Sequence, residues 1–184
     1  MYYLGLDVGS SSVKAAIVDA KSGKSILSVH EPKNEMGINS LNNDWAEQDP
    51  NMWWKYSCDA IKRVCKESNV DSKKIGSIGI SYQMHGLVVV DKNGSPLRDS
   101  IIWCDSRAVN IGNEAFEKLG QDKCMSHLLN SPGNFTASKL KWVKDNEPNI
   151  YEKIYKYMLP GDFIAYKLTG EINTTLNGLS EGII

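Results

Sequence analysis

A chain of 184 residues with 22 Asp and Glu against 21 Lys and Arg carries a formal net charge of −1, and its basic residues are dispersed, Lys73-Lys74 being the densest pair. That distribution argues against nucleic acid as a partner. A hydrophobic content of 41% suffices for one core at this length and little more. No apolar run approaches the ~20 residues of a membrane span, and the start from Met1 to Asp7 has no charged leader region, so a cytoplasmic protein with no membrane association is expected. Cys58, Cys65, Cys104 and Cys124 form no C-x-x-C pair, and His30, His85 and His127 are far apart. Zinc-ligand spacing is absent, and reduced thiols are expected.

In chain order, strand-like runs over residues 2–6 and 13–18 flank the turn Asp7-Val8-Gly9-Ser10-Ser11-Ser12. A second turn over residues 19–24, with Ser22-Gly23 at its tip, leads into a third strand over 25–30, the pattern of an antiparallel meander. The polar stretch 33–43 reads as a loop. Asp49 as N-cap and Pro50 at the first helical position open a helix whose Trp53, Trp54, Ser57, Ala60, Ile61 and Val64 recur at helical spacing. Cys58 and Cys65, seven apart on that helix, share a face and pack as small hydrophobes.

A buried strand follows over residues 75–81 and another over 87–90, with Asn93-Gly94 turning the chain toward a strand over 101–103. Residues 106–119 have a helical pattern. After a loop at 132–135, a second clear helix runs from Thr136 to its stop before Pro148. Its apolar stripe is Leu140 and Val143, with Lys139, Lys141 and Lys144 facing water. A short helical piece over 150–155, a short strand over 157–159 and a last helix over 163–168, stopped by Gly170, complete the readable elements. Alternating strands and helices make the fold class α/β.

Three stretches carry chemistry. In the first turn, Asp7 ends a strand and can hold a hydrated Mg²⁺, Gly9 lets backbone pass close to a ligand, and Ser10, Ser11 and Ser12 offer hydroxyls and N–H groups to a polyphosphate. A polar hairpin with a glycine turn is the plainer reading. In the second, Gln83, Met84, His85 and Gly86 lie directly past a strand, where side chains of an α/β sheet face the ligand crevice. Gln83 and His85 suit sugar hydroxyls; the alternative is a structural, hydrogen-bonded His85. In the third, Trp103 can stack on a sugar's C–H face while Asp105 and Arg107 fix hydroxyls. Equally, Trp103 is core and Asp105 and Arg107 form an ion pair capping the next helix. Trp45, Trp53 and Trp54 are read as packing.

Together these residues resemble one family. Asp7 to Lys14, Trp45-Ala46-Glu47-Gln48-Asp49-Pro50, Gln83-Met84-His85-Gly86, Trp103-Cys104-Asp105-Ser106-Arg107, Asn134 to Val143, and Leu159-Pro160-Gly161-Asp162 through Leu168-Thr169-Gly170-Glu171 stand in the order of the FGGY carbohydrate kinases. The triplet Met84-His85-Gly86 looks like a xylulokinase. The resemblance implies a ribonuclease H-like mixed sheet with flanking helices, as in the sugar kinase, actin and Hsp70 superfamily. It implies ATP-dependent phosphorylation of D-xylulose at its 5-hydroxyl with Mg²⁺, the substrate held between two such domains. Asp7 would position metal and γ-phosphate, Gly9, Ser10, Ser11 and Ser12 would face the phosphates, and Met84, His85, Trp103 and Asp105 would contact the sugar.

Two departures stand out: Cys104 replaces an Asn common in xylulokinases, and residues 172–177 lack the usual Asp and Ser run. The family's catalytic base is an Asp in a later Gly-Gly-Asp motif and its adenine site lies in a second domain. The chain is therefore expected to be most of the N-terminal sugar-binding domain, without the C-terminal ATP-binding domain, inactive alone, and prone to self-association such as a homodimer through apolar surface. The alternatives are a non-catalytic sugar-binding or regulatory module, or a kinase for another sugar such as gluconate or ribulose.

Overall fold

The computed structural model describes residues 1–183. The chain divides into two compact units, the first comprising Met1–Gly37 and Asn51–Gln83, the second Ile38–Pro50 and the residues from Met84 onward. No helix among the described residues is long and apolar enough to cross a membrane.

In the first unit, β1 (Tyr2–Val8), β2 (Val13–Asp19), β3 (Ser25–Glu31) and β5 (Ile75–Tyr82) form one sheet in the order β3-β2-β1-β5. The first three are an antiparallel meander, and β5 joins parallel to β1, making the sheet mixed. Period-two alternation explains the core: Leu4, Leu6 and Val8 of β1 and Val13, Ala15 and Ile17 of β2 are buried, because every second side chain leaves the same face. Full burial of each of these Leu, Ile and Val side chains is worth about 1.5–3 kcal/mol.

The Asp19 carboxylate holds the second turn, accepting from the N–H groups of Lys21 and Ser22 and from the Ser22 hydroxyl. The helix α1 (Pro50–Ser68) buries Trp53, Ala60 and Val64. Its Arg63 reaches the end of β3, at 3.0 Å from Glu31 Oε1.

One expectation fails here. Strand β5 is expected to be buried, yet most of it is exposed, with Ile78 at 43%. It is an edge strand, paired only with β1 among the described residues, so its apolar sequence does not translate into burial.

The second unit has two short ladders, β4 (Glu47–Gln48) with β7 (Ser100–Ile101) and β6 (Val88–Val90) with β8 (Lys156–Met158). Its core joins Leu87, Val89, Ile101 and Val143, with Leu97, Leu140, Trp142 and Ile150 against them. The turn after β6 is built as its Asn-Gly pair predicts: Asp91 accepts from Asn93 and Ser95 N–H groups, and Gly94 takes φ 75°.

Helices α2 (Val109–Leu119), α3 (Gln121–His127), α4 (Thr136–Asn146), α5 (Pro148–Tyr151), α6 (Pro160–Thr169) and α7 (Leu176–Gly182) complete it. Pro148 ends α4 and opens α5, since its ring excludes the preceding residue from the α region. The Asp162 carboxylate accepts from the Leu159 N–H at the start of α6, and Gly170 ends that helix in the left-handed region.

Lys139 overturns a second expectation. It is completely buried, whereas Lys141 and Lys144 are exposed as expected.

Candidate functional site

In the first unit, Asp7 is the penultimate residue of β1, opposite Lys14 on β2 and Ser81 on β5. Both neighbours engage it: the Ser81 hydroxyl donates to Oδ1 over 3.2 Å, and Lys14 Nζ lies 3.6 Å from Oδ2. The ion pair is exposed on both sides, the Asp7 side chain at 51%, so it holds little energy and leaves the carboxylate open to a ligand.

The turn after β1 is closed by the Gly9 N–H donating to the Ser12 carbonyl over 3.0 Å. A Cβ on Gly9 would sit 3.1 Å from that carbonyl oxygen, so the turn is tight enough to disfavour a side chain there. The Ser11 carbonyl is fixed by the Met36 N–H. Beside it, Ser11, Ser12, His30, Pro32, Lys33 and Glu35 line a recess of about 260 Å³. Hydroxyls, backbone N–H groups and a half-exposed carboxylate are the donor set a hydrated divalent cation and a polyphosphate need, so the residues fit Mg²⁺ and ATP phosphates.

In the second unit, Met84 and Trp103 are large side chains left 56% and 48% exposed. Trp103 lies just past β7, and its carbonyl accepts from Asn134 Nδ2 over 2.8 Å. The next residue, Phe135, has its ring centroid 4.1 Å from that of His85. Asn134 and Phe135 thus draw Trp103 and His85 to one place. His85 has a left-handed backbone with φ 59°, its N–H donates to Glu181 Oε1, and its carbonyl accepts from Lys139 Nζ over 2.7 Å.

Asp105 forms the ion pair with Arg107 that its plainer reading expects, although no side chain among the described residues caps the following helix and Trp103 is not in the core. Asp105 is fully buried, one oxygen accepting from the Ala46 N–H over 2.6 Å and both engaged by Arg107. Arg107 in turn lies 2.6 Å from Glu47 and beneath the rings of Trp45 and Trp142, at 3.8 and 4.8 Å. The cluster braces the loop that follows β7 and leaves Asp105 no free oxygen. Cys104 is exposed, its thiol pKa pushed up by partial burial and the neighbouring Asp105. Desolvation brings the Lys139 ammonium down to about 8 from 10.5, against the opposing pull of Asp105, Cys104 and Glu181.

The residues that sequence reasoning leaves out are Phe135, Lys139 and Glu181. The first two had a signal, because Phe135 and Lys139 are four apart at the start of a helix and so share a face. Glu181 had none, its contact with His85 spanning 96 residues.

The chain matches the FGGY family of carbohydrate kinases, N-terminal domain, over residues 2–182. It is 34% identical over 174 residues to a xylulose kinase of Staphylococcus xylosus, covering 94% of this chain and 35% of that protein. Among solved structures, the crystal structure of a xyloylose kinase from Brucella ovis superimposes with a TM-score of 0.87 at 32% identity, over 99% of this chain and 37% of that one. A gluconate kinase from Lactobacillus acidophilus superimposes at 0.86 with 24% identity, over 98% of this chain and 36% of that one, a likeness of fold alone. The fold is accordingly the ribonuclease H-like one of the sugar kinase, actin and Hsp70 superfamily. The chain spans about a third of the length of the curated relatives it matches. By its match over nearly every residue and its identity to these kinases, the chain belongs to the FGGY family of carbohydrate kinases.

Proposed function

We propose that the chain is most of the sugar-recognising N-terminal domain of an ATP-dependent kinase that phosphorylates D-xylulose at the 5-hydroxyl. The observation that carries this reading is the strand-end carboxylate of Asp7, half-exposed and oriented by Ser81, followed directly by a tight turn of Gly9 and three serines. Bound Mg²⁺ and ATP would supply the transferable phosphoryl group. Asp7 would hold the hydrated cation, and the N–H groups and hydroxyls of the Gly9 to Ser12 turn would offer donors to phosphate oxygens. Transfer of this kind depends on position and charge neutralisation far more than on covalent chemistry.

Sugar recognition falls to His85, Met84 and Trp103. An imidazole suits a hydroxyl, and the two half-exposed apolar side chains suit the C–H face of a sugar. The kinship with a xylulose kinase at 34% identity favours a ketopentose over the gluconate named for a neighbour at 24%. The carboxylate that accepts the 5-hydroxyl proton, and the adenine contacts, come from a later part of the protein, as the family resemblance implies.

The test is a coupled ADP-release assay on the full-length gene product with Mg-ATP and a panel of D-xylulose, D-ribulose, a hexulose, gluconate and glycerol. Turnover should be fastest with D-xylulose. A faster reaction with gluconate or glycerol overturns the substrate, and no sugar-dependent turnover at all overturns the kinase reading.

A further inference from the structure

A residue with a Cβ holds the left-handed backbone only where its surroundings over-determine it, and His85 sits there with φ 59°. Its surroundings act from every side. At its amide end, Glu181 Oε1 accepts the His85 N–H, and the same oxygen lies 2.8 Å from Nδ1, near enough to pair with the ring but without hydrogen-bond alignment. At its carbonyl end, Lys139 Nζ donates over 2.7 Å. The Phe135 ring tilts at 58° against the imidazole, and the Thr136 hydroxyl donates to the next carbonyl, that of Gly86. Gly86 itself packs closely, since a Cβ there would come within 2.5 Å of Pro160 Cγ.

Lys139 is the costly member of this set. It is wholly buried, and desolvation already pulls its pKa to about 8. An unbranched apolar side chain would fill the same space without that penalty. What the ammonium adds is a directional, charge-assisted bond to one carbonyl. The residues that surround it are spaced for the task, because Phe135, Thr136 and Lys139 stand on one face of the first turns of α4.

We propose that Lys139 and Glu181 are positioning residues that clamp the left-handed backbone of His85 from its two ends, carbonyl and amide, and so fix the imidazole for discrimination among sugar hydroxyl patterns. The sugar half of this statement rests on the function proposed above; the clamp does not. Discrimination of this kind needs a fixed donor or acceptor, because a site built to bond one hydroxyl rejects an analogue only if its polar group cannot move to another partner.

The test uses the 184-residue chain with Lys139→Met and Glu181→Ala. Amide hydrogen exchange and backbone chemical shifts of His85 and Gly86, followed by NMR with no ligand, read the clamp directly. Both variants should lose about tenfold or more of the protection at these amides, with the His85 shifts leaving the left-handed range. Unchanged protection and shifts overturn the clamp.

Titration with D-xylulose and D-ribulose reads the sugar half. D-xylulose should bind about tenfold or more less tightly to the variants, and the preference between the two sugars should narrow. Variants that lose protection yet bind and discriminate as the parent does overturn the positioning role. A parent chain that binds neither sugar overturns its role as a sugar-recognising domain on its own, while the exchange result still decides the clamp. Should Lys139→Met fail to fold, Glu181→Ala carries both readouts.

Discussion

Asp7 and Lys139 are charged residues in opposite situations, and each allows a distinct prediction. Asp7 is open to solvent and held only loosely by Lys14 and Ser81, so removing its charge should not disturb the fold. In the full-length protein, Asp7→Asn should lower kcat strongly while D-xylulose binding measured without ATP stays as it was, because the work proposed for the carboxylate is on metal and phosphate. Near-normal turnover would return the turn to a plain polar hairpin.

Lys139 is buried with its pKa lowered to about 8 from 10.5. Above about pH 8 the folded chain has released this proton while the unfolded chain retains it until about 10.5. The unfolded state then binds more protons, so stability rises with pH across that window, and charged Lys139 is a net cost below it. Urea denaturation of the parent chain from pH 7 to 10 should show this increment against Lys139→Met, in which it should vanish. Identical pH profiles would place the ammonium in a solvated setting that its burial does not allow.

At the level of elements, the close approach of α2 to the loop before α4 is made by backbone and is therefore unforgiving. A Cβ at Gly112, within α2, would lie 2.2 Å from Gly133 Cα and 2.5 Å from the Pro132 carbonyl oxygen. Neither neighbour is a side-chain tip that could swing away. Gly112→Ala should cost about 1–3 kcal/mol or more in unfolding free energy with an unchanged urea m-value, although alanine is the better helix former. Gly79→Ala, at a position with nothing within 4 Å, should shift stability far less. Equal effects at the two sites would mean that α2 does not rest on the loop backbone.

Much at this level was legible. The alternation of β1 and β2 is written in local residue types, and Pro148 and Gly170 punctuate as their chemistry requires. Helices α3 and α7 were not, because Gln121–His127 and Leu176–Gly182 are two turns each, too short for a helical period to stand out. The exposure of β5 was not either, since an edge strand and a central one share the same composition and differ only in what pairs with them.

For the whole molecule, the fold class and the family were legible from six ordered segments, and the arrangement inside each unit sets how far the site could be read. Asp7 and the serine turn were visible because a strand end, a glycine and hydroxyls are contiguous in sequence. The structural work of Asp105 was foreseen as one of two readings, and its burial with Arg107 between Trp45 and Trp142 decides its place in the fold. The clamp on His85 was invisible. Its two charged members lie 54 and 96 residues away, and a lysine beside Lys141 and Lys144 reads as one more wet side chain.

The measurement that bears most directly on the central reading is isothermal titration of the purified 184-residue chain with D-xylulose, D-ribulose, gluconate and glycerol, repeated with His85→Ala. D-xylulose should bind most tightly, and His85→Ala should weaken it by about 1–3 kcal/mol, with coupled ADP release absent if, as proposed, the proton-accepting carboxylate is not among these residues. Tighter binding of gluconate or glycerol, affinity for D-xylulose that is indifferent to His85, or sugar-dependent turnover at ordinary enzyme rates of roughly 1 to 10³ s⁻¹ would contradict it.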